Sequence, residues 1–224
     1  MTRDQHVEKL LDAAARGDVA AVWTLLGSEP TLMHVAGEHG KTALHWAAEH
    51  DHVWVASLLV DAGANLAART SWGATALEWA ATMGSRRVGA LLVARGNARP
   101  TLAVASGLGL LPEVRARLAE GERDSLDEAL YLAARNGENE VVVLLLEHGA
   151  NVDAKGFFGG TALHWAAYNG YAETVRLLLA RGARRDVHDE RFDATARGWA
   201  IEGGHAEIAT LIGEDGSPST GAPA

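Results

Sequence analysis

The heptapeptide Thr-Ala-Leu-His-Trp-Ala-Ala occurs twice, at residues 42–48 and 161–167, and it belongs to a longer period. After two intervening residues comes an anchor position, which recurs along the chain at Gly17, Asp51, Gly84, Gly109, Gly137, Gly170 and Gly204. Successive anchors lie 34, 33, 25, 28, 33 and 34 residues apart. A segment of this length cannot bury its apolar face alone and becomes stable by stacking on copies of itself. The spacing therefore predicts an array of seven repeats.

Each repeat has the pattern of two short helices. Thr42 is a natural N-cap, because its hydroxyl can accept a hydrogen bond from the free amides of the first turn. Leu44, Ala47 and Ala48 follow at helical spacing and form one apolar stripe, in which the alanines let neighbouring helices approach closely. A second apolar helix follows the anchor, and Gly63 supplies the permissive backbone that ends it.

These segments resemble ankyrin repeats. The resemblance is carried by residues 40–68, 73–97, 129–154 and 159–183 and covers residues 5 to 214. It implies an all-α ankyrin-repeat solenoid of about seven helix-turn-helix repeats, whose inner helices line a concave groove edged by short hairpin fingers. We expect a single repeat domain over residues 1–213 and a disordered tail over 214–224, which is rich in Gly, Ser and Pro.

The short spacings around the fourth anchor leave no room for a finger. We therefore predict that fingers are missing before repeats 4 and 5, between residues 98 and 127, with tight helix-to-helix turns in their place. Such a gap could produce a bend or a pocket, and it could equally reflect length variation in a tolerant surface loop.

Composition excludes several classes of protein. The formal net charge is −9 and the pI is near 5.5, so a phosphate backbone would be repelled, and we expect no nucleic-acid partner. The chain has no cysteine, which excludes disulfides and thiolate metal sites. No apolar run approaches the roughly 20 residues of a membrane span, and the first residues lack the apolar core of a secretory signal. We expect a cytoplasmic protein that does not enter a membrane.

Candidate chemistry is sparse. Five of the ten histidines lie between residues 34 and 52, but no spacing completes a metal site, and His45 and His164 occupy a position where the family's histidine bonds to the turn. Glu78 could act as a general base, yet with Thr75 it also forms a capping box. We find no catalytic motif and expect no metal and no cofactor, although a scattered catalytic constellation stays open.

Aromatic residues recur in register. The fourth residue after the cap is tryptophan in four repeats, and we call this set the tryptophan row: Trp46, Trp79, Trp165 and Trp199. The third residue before the cap is aromatic in the four repeats with fingers, and we call this set the fingertip row: His39, Trp72, Phe158 and Phe192. The tryptophan row is explained equally by packing between repeats or by ligand contact.

Two functions from different classes follow. The first is a protein–protein interaction module that binds a protein or peptide through its groove and aromatic fingertips, with these binding residues: Trp46, His50, Trp72, Trp79, Phe158, Trp165, Tyr168, Asn169 and Phe192. The alternative is a small-molecule-binding protein or enzyme that uses a pocket near the finger-poor centre, close to Glu78, Tyr131, Arg135 and Tyr168. A scaffold held inside a larger complex is a third reading.

Overall fold

Helices account for most of residues 2–96 and 99–213, the part of the chain that the computed structural model describes. Within those ranges there are fourteen α-helices: α1 (Arg3–Arg16), α2 (Val19–Ser28), α3 (Ala43–Glu49), α4 (Val53–Asp61), α5 (Ala76–Met83), α6 (Arg86–Gly96), α7 (Leu102–Gly107), α8 (Leu111–Ala119), α9 (Leu126–Arg135), α10 (Asn139–Glu147), α11 (Ala162–Tyr168), α12 (Ala172–Ala180), α13 (Ala196–Glu202) and α14 (Ala206–Ile212). In chain order they form seven pairs, each an odd-numbered inner helix followed by an even-numbered outer helix. The predicted all-α class and helix-turn-helix repeats are confirmed.

The repeats are grouped in two compact units, Met1–Val104 and Ala105–Ala224. In the first unit the inner helices α1, α3 and α5 pack side by side, and the outer helices α2, α4 and α6 do the same. In the second unit α9, α11 and α13 form the inner layer, while α8, α10, α12 and α14 form the outer one. The single domain over residues 1–213 stays a prediction, and the predicted tail over 214–224 lies outside the described residues.

The Thr-x-x-His pattern joins two inner helices, α3 and α11, to the finger of the next repeat. The His45 ring accepts the backbone N–H of Thr42 at Nδ1 (3.2 Å), and its Nε2 lies 3.1 Å from the carbonyl oxygen of Ala74. His164 repeats this arrangement with Thr161 and Ala194 (3.1 and 3.2 Å). These partners require a neutral ring with its proton on Nε2. The predicted structural role of both histidines is confirmed.

Small residues bring the inner helices together. Ala47 and Ala48 in α3, like Ala166 and Ala167 in α11, are completely buried. A methyl group in each position keeps the interface thin, so adjacent inner helices pack backbone to backbone at close range. The larger side chains of the core lie between the inner and outer layers, where Leu59 is also completely buried.

Packing of the next repeat explains the glycine at two of the anchor positions, Gly17 and Gly170. Gly17 and Gly170 have φ of +75° and +83°, in the left-handed region. A Cβ on Gly17 would lie 2.7 Å from the ring of His52, and one on Gly170 would lie 2.6 Å from the ring of His205. A ring from the next repeat therefore occupies the space in which a side chain would stand.

Fingers are present where the longer spacings predict them. Isolated antiparallel bridges close three of them, Ala36 to Thr42, Arg69 to Thr75 and His188 to Thr195. In the fourth, the backbone N–H of Gly156 donates to the carbonyl of Gly160 (2.9 Å). By contrast, α6 ends at Gly96 and α7 begins at Leu102, while α8 ends at Ala119 and α9 begins at Leu126. These connections are too short for a finger, as predicted.

Candidate functional site

The predicted binding residues fall into two groups, one in each unit. The first unit contains Trp46, His50, Trp72 and Trp79, and the second unit contains Phe158, Trp165, Tyr168, Asn169 and Phe192. The two groups differ in how much of the aromatic surface reaches solvent. For the tryptophan row, the different burial is explained by the residue immediately before the helix cap, which is Lys41 in repeat 2 and Gly160 in repeat 6.

In the first unit, Lys41 lies between two members of the tryptophan row. Its Nζ is 4.3 Å from the ring centroid of Trp46 and 4.7 Å from that of Trp79. The same ammonium lies 2.5 Å from Oε2 of Glu49, which also accepts the indole N–H of Trp79 (3.1 Å). Lys41 is only 8% exposed. The chain thus fills the space between these rings with its own cation, which separates the rings and leaves both half-buried.

The finger of repeat 3 adds an exposed ring to this cluster. Trp72 stacks on Trp79 with ring centroids 5.6 Å apart and planes at 10°. The His39 ring is tilted against Trp72, with centroids 4.9 Å apart. Trp72 is nevertheless 56% exposed. His50 is exposed as well and stacks on Trp46 at 6.3 Å. Of the three predicted tryptophans in the first unit, Trp72 is therefore the exposed one.

In the second unit, the two members of the tryptophan row are buried and in direct contact with each other. Trp165 and Trp199 meet edge to face with centroids 5.0 Å apart, and they are 7% and 6% exposed. Gly160 stands in the register position of Lys41, and a Cβ there would lie 3.3 Å from Trp199 and 3.4 Å from Trp165. With no side chain to separate them, the two rings pack on each other. Packing between repeats, one of the two readings of this row, describes these two residues.

A groove of about 650 Å³ lies in the second unit beside these buried rings. Its aromatic lining includes four of the predicted binding residues, namely Phe158, Trp165, Tyr168 and Phe192. The Phe158 and Phe192 rings come from two successive fingers, and Phe192 is 64% exposed. Tyr168 contributes an exposed ring from the end of α11, in edge contact with Trp199 at 6.0 Å. The structure thus brings the second-unit fingertip residues and the inner-helix aromatics to one surface.

Cationic side chains lie on the aromatic rings of this groove. The guanidinium carbon of Arg135 is 4.0 Å from the centroid of Trp165. That of Arg191 is 4.4 Å from the centroid of Phe158 and 5.1 Å from that of Phe192. Stacking of this kind is favourable because the ring faces carry partial negative charge.

A buried carboxylate fixes the finger that carries Phe192. Asp189 accepts the backbone N–H groups of Arg191, Phe192 and Ala194 and the indole N–H of Trp199, at 2.8 to 3.0 Å. Burial acts to raise the pKa of Asp189, but these hydrogen bonds favour the charged form and lower its pKa to about 2. The Asp189 carboxylate is therefore ionised and holds the finger in place through hydrogen bonds to its backbone and to Trp199.

Asn169 has a partner within the chain. Its Nδ2 donates to the carbonyl of Arg135 in the preceding repeat (3.0 Å), and Asn136 donates in the same way to the carbonyl of Gly107 (2.8 Å). Both asparagines directly precede an anchor glycine, so this hydrogen bond joins adjacent repeats. A role for Asn169 in binding a partner stays a prediction.

Other sequence candidates have structural explanations. The Glu78 carboxylate accepts the backbone N–H of Thr75 (2.7 Å), which confirms the capping box. The groove lies between fingers rather than at the finger-poor centre, although it includes Arg135 and Tyr168 from the alternative pocket. Tyr131 is buried nearby, where burial raises the pKa of its hydroxyl and Arg135 acts to lower it.

Residues 2–96 and 99–213 contain neither a metal-binding cluster nor a membrane-spanning helix. There, no group of three or more His, Asp or Glu side chains is arranged to hold a metal ion. Within the same ranges no helix combines the length and apolar character needed to cross a bilayer.

Sequence reasoning missed three residues that shape these surfaces: Lys41, Asp189 and Arg191. Lys41 and Arg191 each contact a ring of a neighbouring repeat, Trp79 and Phe158, which the sequence of a single repeat does not reveal. The partners of Asp189 lie within the ten residues that follow it, and an aspartate at the start of a finger was the available signal. Two exposed tryptophans on outer helices, Trp23 and Trp54, were also not singled out. The available signal was that both lie outside the apolar stripe of their helix, α2 or α4.

Comparison with known proteins gives the family. A family model described as "Ankyrin repeats (3 copies)" matches residues 10–103, 102–189 and 130–220. The chain belongs to the ankyrin-repeat family. The crystal structure of the human ASB11 ankyrin repeat domain is similar, with a TM-score of 0.51 and 26% identity over 94% of this chain and 99% of that one.

Curated relatives share the repeats alone. The chain is 38% identical to rabbit (Oryctolagus cuniculus) transient receptor potential cation channel subfamily V member 5 over 160 residues, 69% of this chain and 21% of that protein. It is 37% identical to human subfamily V member 6 over 160 residues, 69% of this chain and 20% of that protein. The match thus spans about a fifth of the length of these relatives. Ankyrin repeats are in general protein–protein interaction modules.

Proposed function

We propose that this ankyrin-repeat chain binds a protein or peptide partner through the groove of its second unit, with the aromatic fingertips as apolar anchors. The observation that carries the proposal is the exposure of Phe158 and Phe192 beside a groove whose floor is formed by Trp165 and Trp199. Large aromatic side chains on a rigid scaffold are the residues that most often dominate binding energy at interfaces. Trp72 offers a separate exposed anchor in the first unit.

The scaffold favours this use of the fingers. Asp189 holds the backbone around Phe192 with three hydrogen bonds, and Phe158 sits at φ +61°, followed by Gly159 at +71°, in a tight turn closed by the Gly156–Gly160 hydrogen bond. Aromatic groups held this firmly lose little conformational entropy on binding, so more of their contact energy appears as affinity. A partner would bury the fingertip rings against its own apolar side chains.

The test is a selection of binders from a random twelve-residue peptide display library on the purified chain, followed by affinity measurements on variants. We expect Phe192→Ala and Phe158→Ala each to weaken a selected peptide by about 2 kcal/mol, which is roughly thirtyfold, with little change in Tm. Trp54→Ala is the control, because Trp54 is 76% exposed on the outer helix α4 of the first unit and does not line the groove. Equal losses in Trp54→Ala, or a large loss of Tm in the fingertip variants, would refute the interface.

A small-molecule ligand is the second candidate, and the groove volume favours it, since about 650 Å³ lies within the usual range for ligand pockets. A thermal-shift screen against metabolites separates the two candidates. A metabolite that raises Tm in the parent chain and not in Phe192→Ala, together with a failed peptide selection, would favour the small-molecule reading.

A further inference from the structure

Repeats 2 and 7 share a pair of side chains that the other repeats lack. Each has a tryptophan four residues after the cap and a glutamate seven residues after it, Trp46 and Glu49 in repeat 2 and Trp199 and Glu202 in repeat 7. A spacing of three residues puts the glutamate on the same helix face as the tryptophan, one turn further along. In repeat 2 this pair holds a cation, since Nζ of Lys41 lies 2.5 Å from Glu49 and 4.3 Å from the ring centroid of Trp46. The chain itself thus shows that this arrangement accommodates an ammonium group.

Repeat 7 has the glutamate without the lysine. The residue before its cap is Ala194, where repeat 2 has Lys41, and Gly198 stands where repeat 2 has His45. Both small residues line the groove together with Glu202. Glu202 is exposed, and within the described part of the chain it makes neither a hydrogen bond nor an ion pair. Its carboxylate therefore lines the groove without the cation that neutralises its counterpart in repeat 2.

An exposed aromatic ring lies beside this carboxylate. Trp199 itself is only 6% exposed, because it packs against Trp165. The ring that reaches solvent is that of Tyr168, which is 42% exposed, lines the groove and lies 6.0 Å from Trp199, centroid to centroid. Because Glu202 is one helical turn beyond Trp199, the carboxylate and the Tyr168 ring belong to the same end of the groove. A carboxylate next to an aromatic ring is a combination that attracts cations.

The two arginines near the groove decide where a cation can lie. Arg135 on α9 and Glu202 on α13 occupy equivalent positions, and α11 packs between their helices. Packed helices are about 8–10 Å apart, so these positions are about 16–20 Å apart, beyond the screening length of about 10 Å at 0.1 M salt. Arg191 stacks on Phe158 and Phe192, so apolar side chains suit the fingertips better than cationic ones. The formal net charge of −9 also attracts a cationic partner to the chain as a whole.

We propose that the groove of the second unit binds a peptide segment of a partner protein in which a lysine lies among apolar side chains. The inference rests on the proposed function and names the chemistry of its partner. The lysine ammonium pairs with Glu202 beside the Tyr168 ring, and the apolar side chains cover Phe158 and Phe192. A peptide fits better than a small amine, because a ligand that fills only the Glu202 end leaves the exposed fingertip rings uncovered.

The experiment uses two pools of capped, fluorescein-labelled nine-residue peptides. Both pools carry mixed Leu, Phe and Ser around a central residue, which is lysine in one pool and acetyl-lysine in the other. Acetylation removes the charge and keeps the aliphatic chain. We expect the lysine pool to bind the full chain about fivefold more tightly at low salt, which is the combined size of an exposed ion pair and a weak cation–π contact. The ratio should shrink at about 0.5 M salt, where charges are screened.

Variants assign the preference to the carboxylate of repeat 7. Glu202→Gln should lower affinity for the lysine pool to that for the acetyl-lysine pool and leave the acetyl-lysine pool unchanged. Glu207→Gln is the matched control, since Glu207 is exposed on α14 and does not line the groove. Ala194→Lys introduces the residue of repeat 2 and should also remove the lysine preference, because the chain's own ammonium then pairs with Glu202. The seven tryptophan indole N–H resonances locate the peptide, and we expect those of Trp165 and Trp199 to move.

Equal affinity of the two pools, with Trp165 and Trp199 still perturbed, would overturn the lysine inference and leave the proposed groove function intact. An unchanged lysine preference in Glu202→Gln, or an equal loss in the control variant, would also overturn it. Butylamine that competes with the lysine pool at similar concentration would show a site for small amines, contrary to the proposal. Perturbation of Trp23 and Trp54 instead would refute both the inference and the proposed function.

Discussion

Replacing Lys41 by methionine tests the account of the first-unit cluster. Methionine keeps the aliphatic length of lysine between Trp46 and Trp79 but removes the ammonium, which is 2.5 Å from Glu49. Breaking a buried ion pair by deleting one partner costs about 3–5 kcal/mol. Glu49 keeps 23% side-chain exposure and the Trp79 N–H, so we reduce that loss to about 2 kcal/mol. Losing two cation–π contacts adds about 1 kcal/mol.

The expected total is therefore about 3 kcal/mol of unfolding free energy, measured by urea denaturation followed by tryptophan fluorescence. Glu49→Gln should also destabilise the unit, because it leaves Lys41 buried without its carboxylate. The double variant Lys41→Met/Glu49→Gln should cost clearly less than the sum of the single changes, since neither charge is then left alone.

The control is Lys155→Met, which removes an exposed pair with Glu190 and should change stability by less than about 0.5 kcal/mol. If Lys41→Met proves neutral or stabilising, or if the double variant is additive, the ion pair does not hold this cluster together and the explanation for the separated tryptophans is wrong.

Three further changes test the second unit. Burial lowers the pKa of His164 from 6.5, although its hydrogen bond to Ala194 acts to raise it. Just below pH 6.5 the unfolded chain therefore binds a proton at this residue that the folded chain does not bind. Tm should fall as the pH drops below 6.5, and it should fall less in His164→Gln. Gly203→Ala should destabilise the unit by about 2 kcal/mol or more in urea denaturation, because the added Cβ would clash with the Tyr168 carbonyl oxygen, which is backbone and cannot turn aside. Asp189→Asn should cost about 2 kcal/mol at pH 7, and the difference from the parent chain should vanish as the pH falls from 3.8 towards 2, where Asp189 itself becomes protonated.

The repeat architecture could be predicted because its causes are local. Thr42 and Thr161 cap their helices through a histidine three residues later, and the alanine pairs thin the same helices. Each of these contacts is completed within one repeat or by the backbone of the next. Backbone partners are present whatever the neighbouring side chain is, so one repeat's sequence suffices.

The surfaces could not be predicted in the same way, because they depend on side chains far apart in the chain. Asn169 illustrates this, since its donor reaches a backbone carbonyl at Arg135 that only the stacking of repeats brings near. The indole N–H of Trp165 is a second case, because it has no hydrogen-bond partner among the described residues, whereas the equivalent N–H of Trp79 donates to Glu49 in the preceding repeat.

The sequence by itself determined that Trp46 and Trp165 occupy equivalent helical positions in equivalent heptapeptides. The tertiary structure decided that Trp46 is half-buried, with Lys41 between it and Trp79, and that Trp165 is buried in direct contact with Trp199. The physical reason is the residue before the cap, since Lys41 fills the space between its rings and Gly160 leaves the rings free to close. Identical local sequences thus form one packing contact and one cation-filled cluster, according to what the adjoining finger and repeat place beside them.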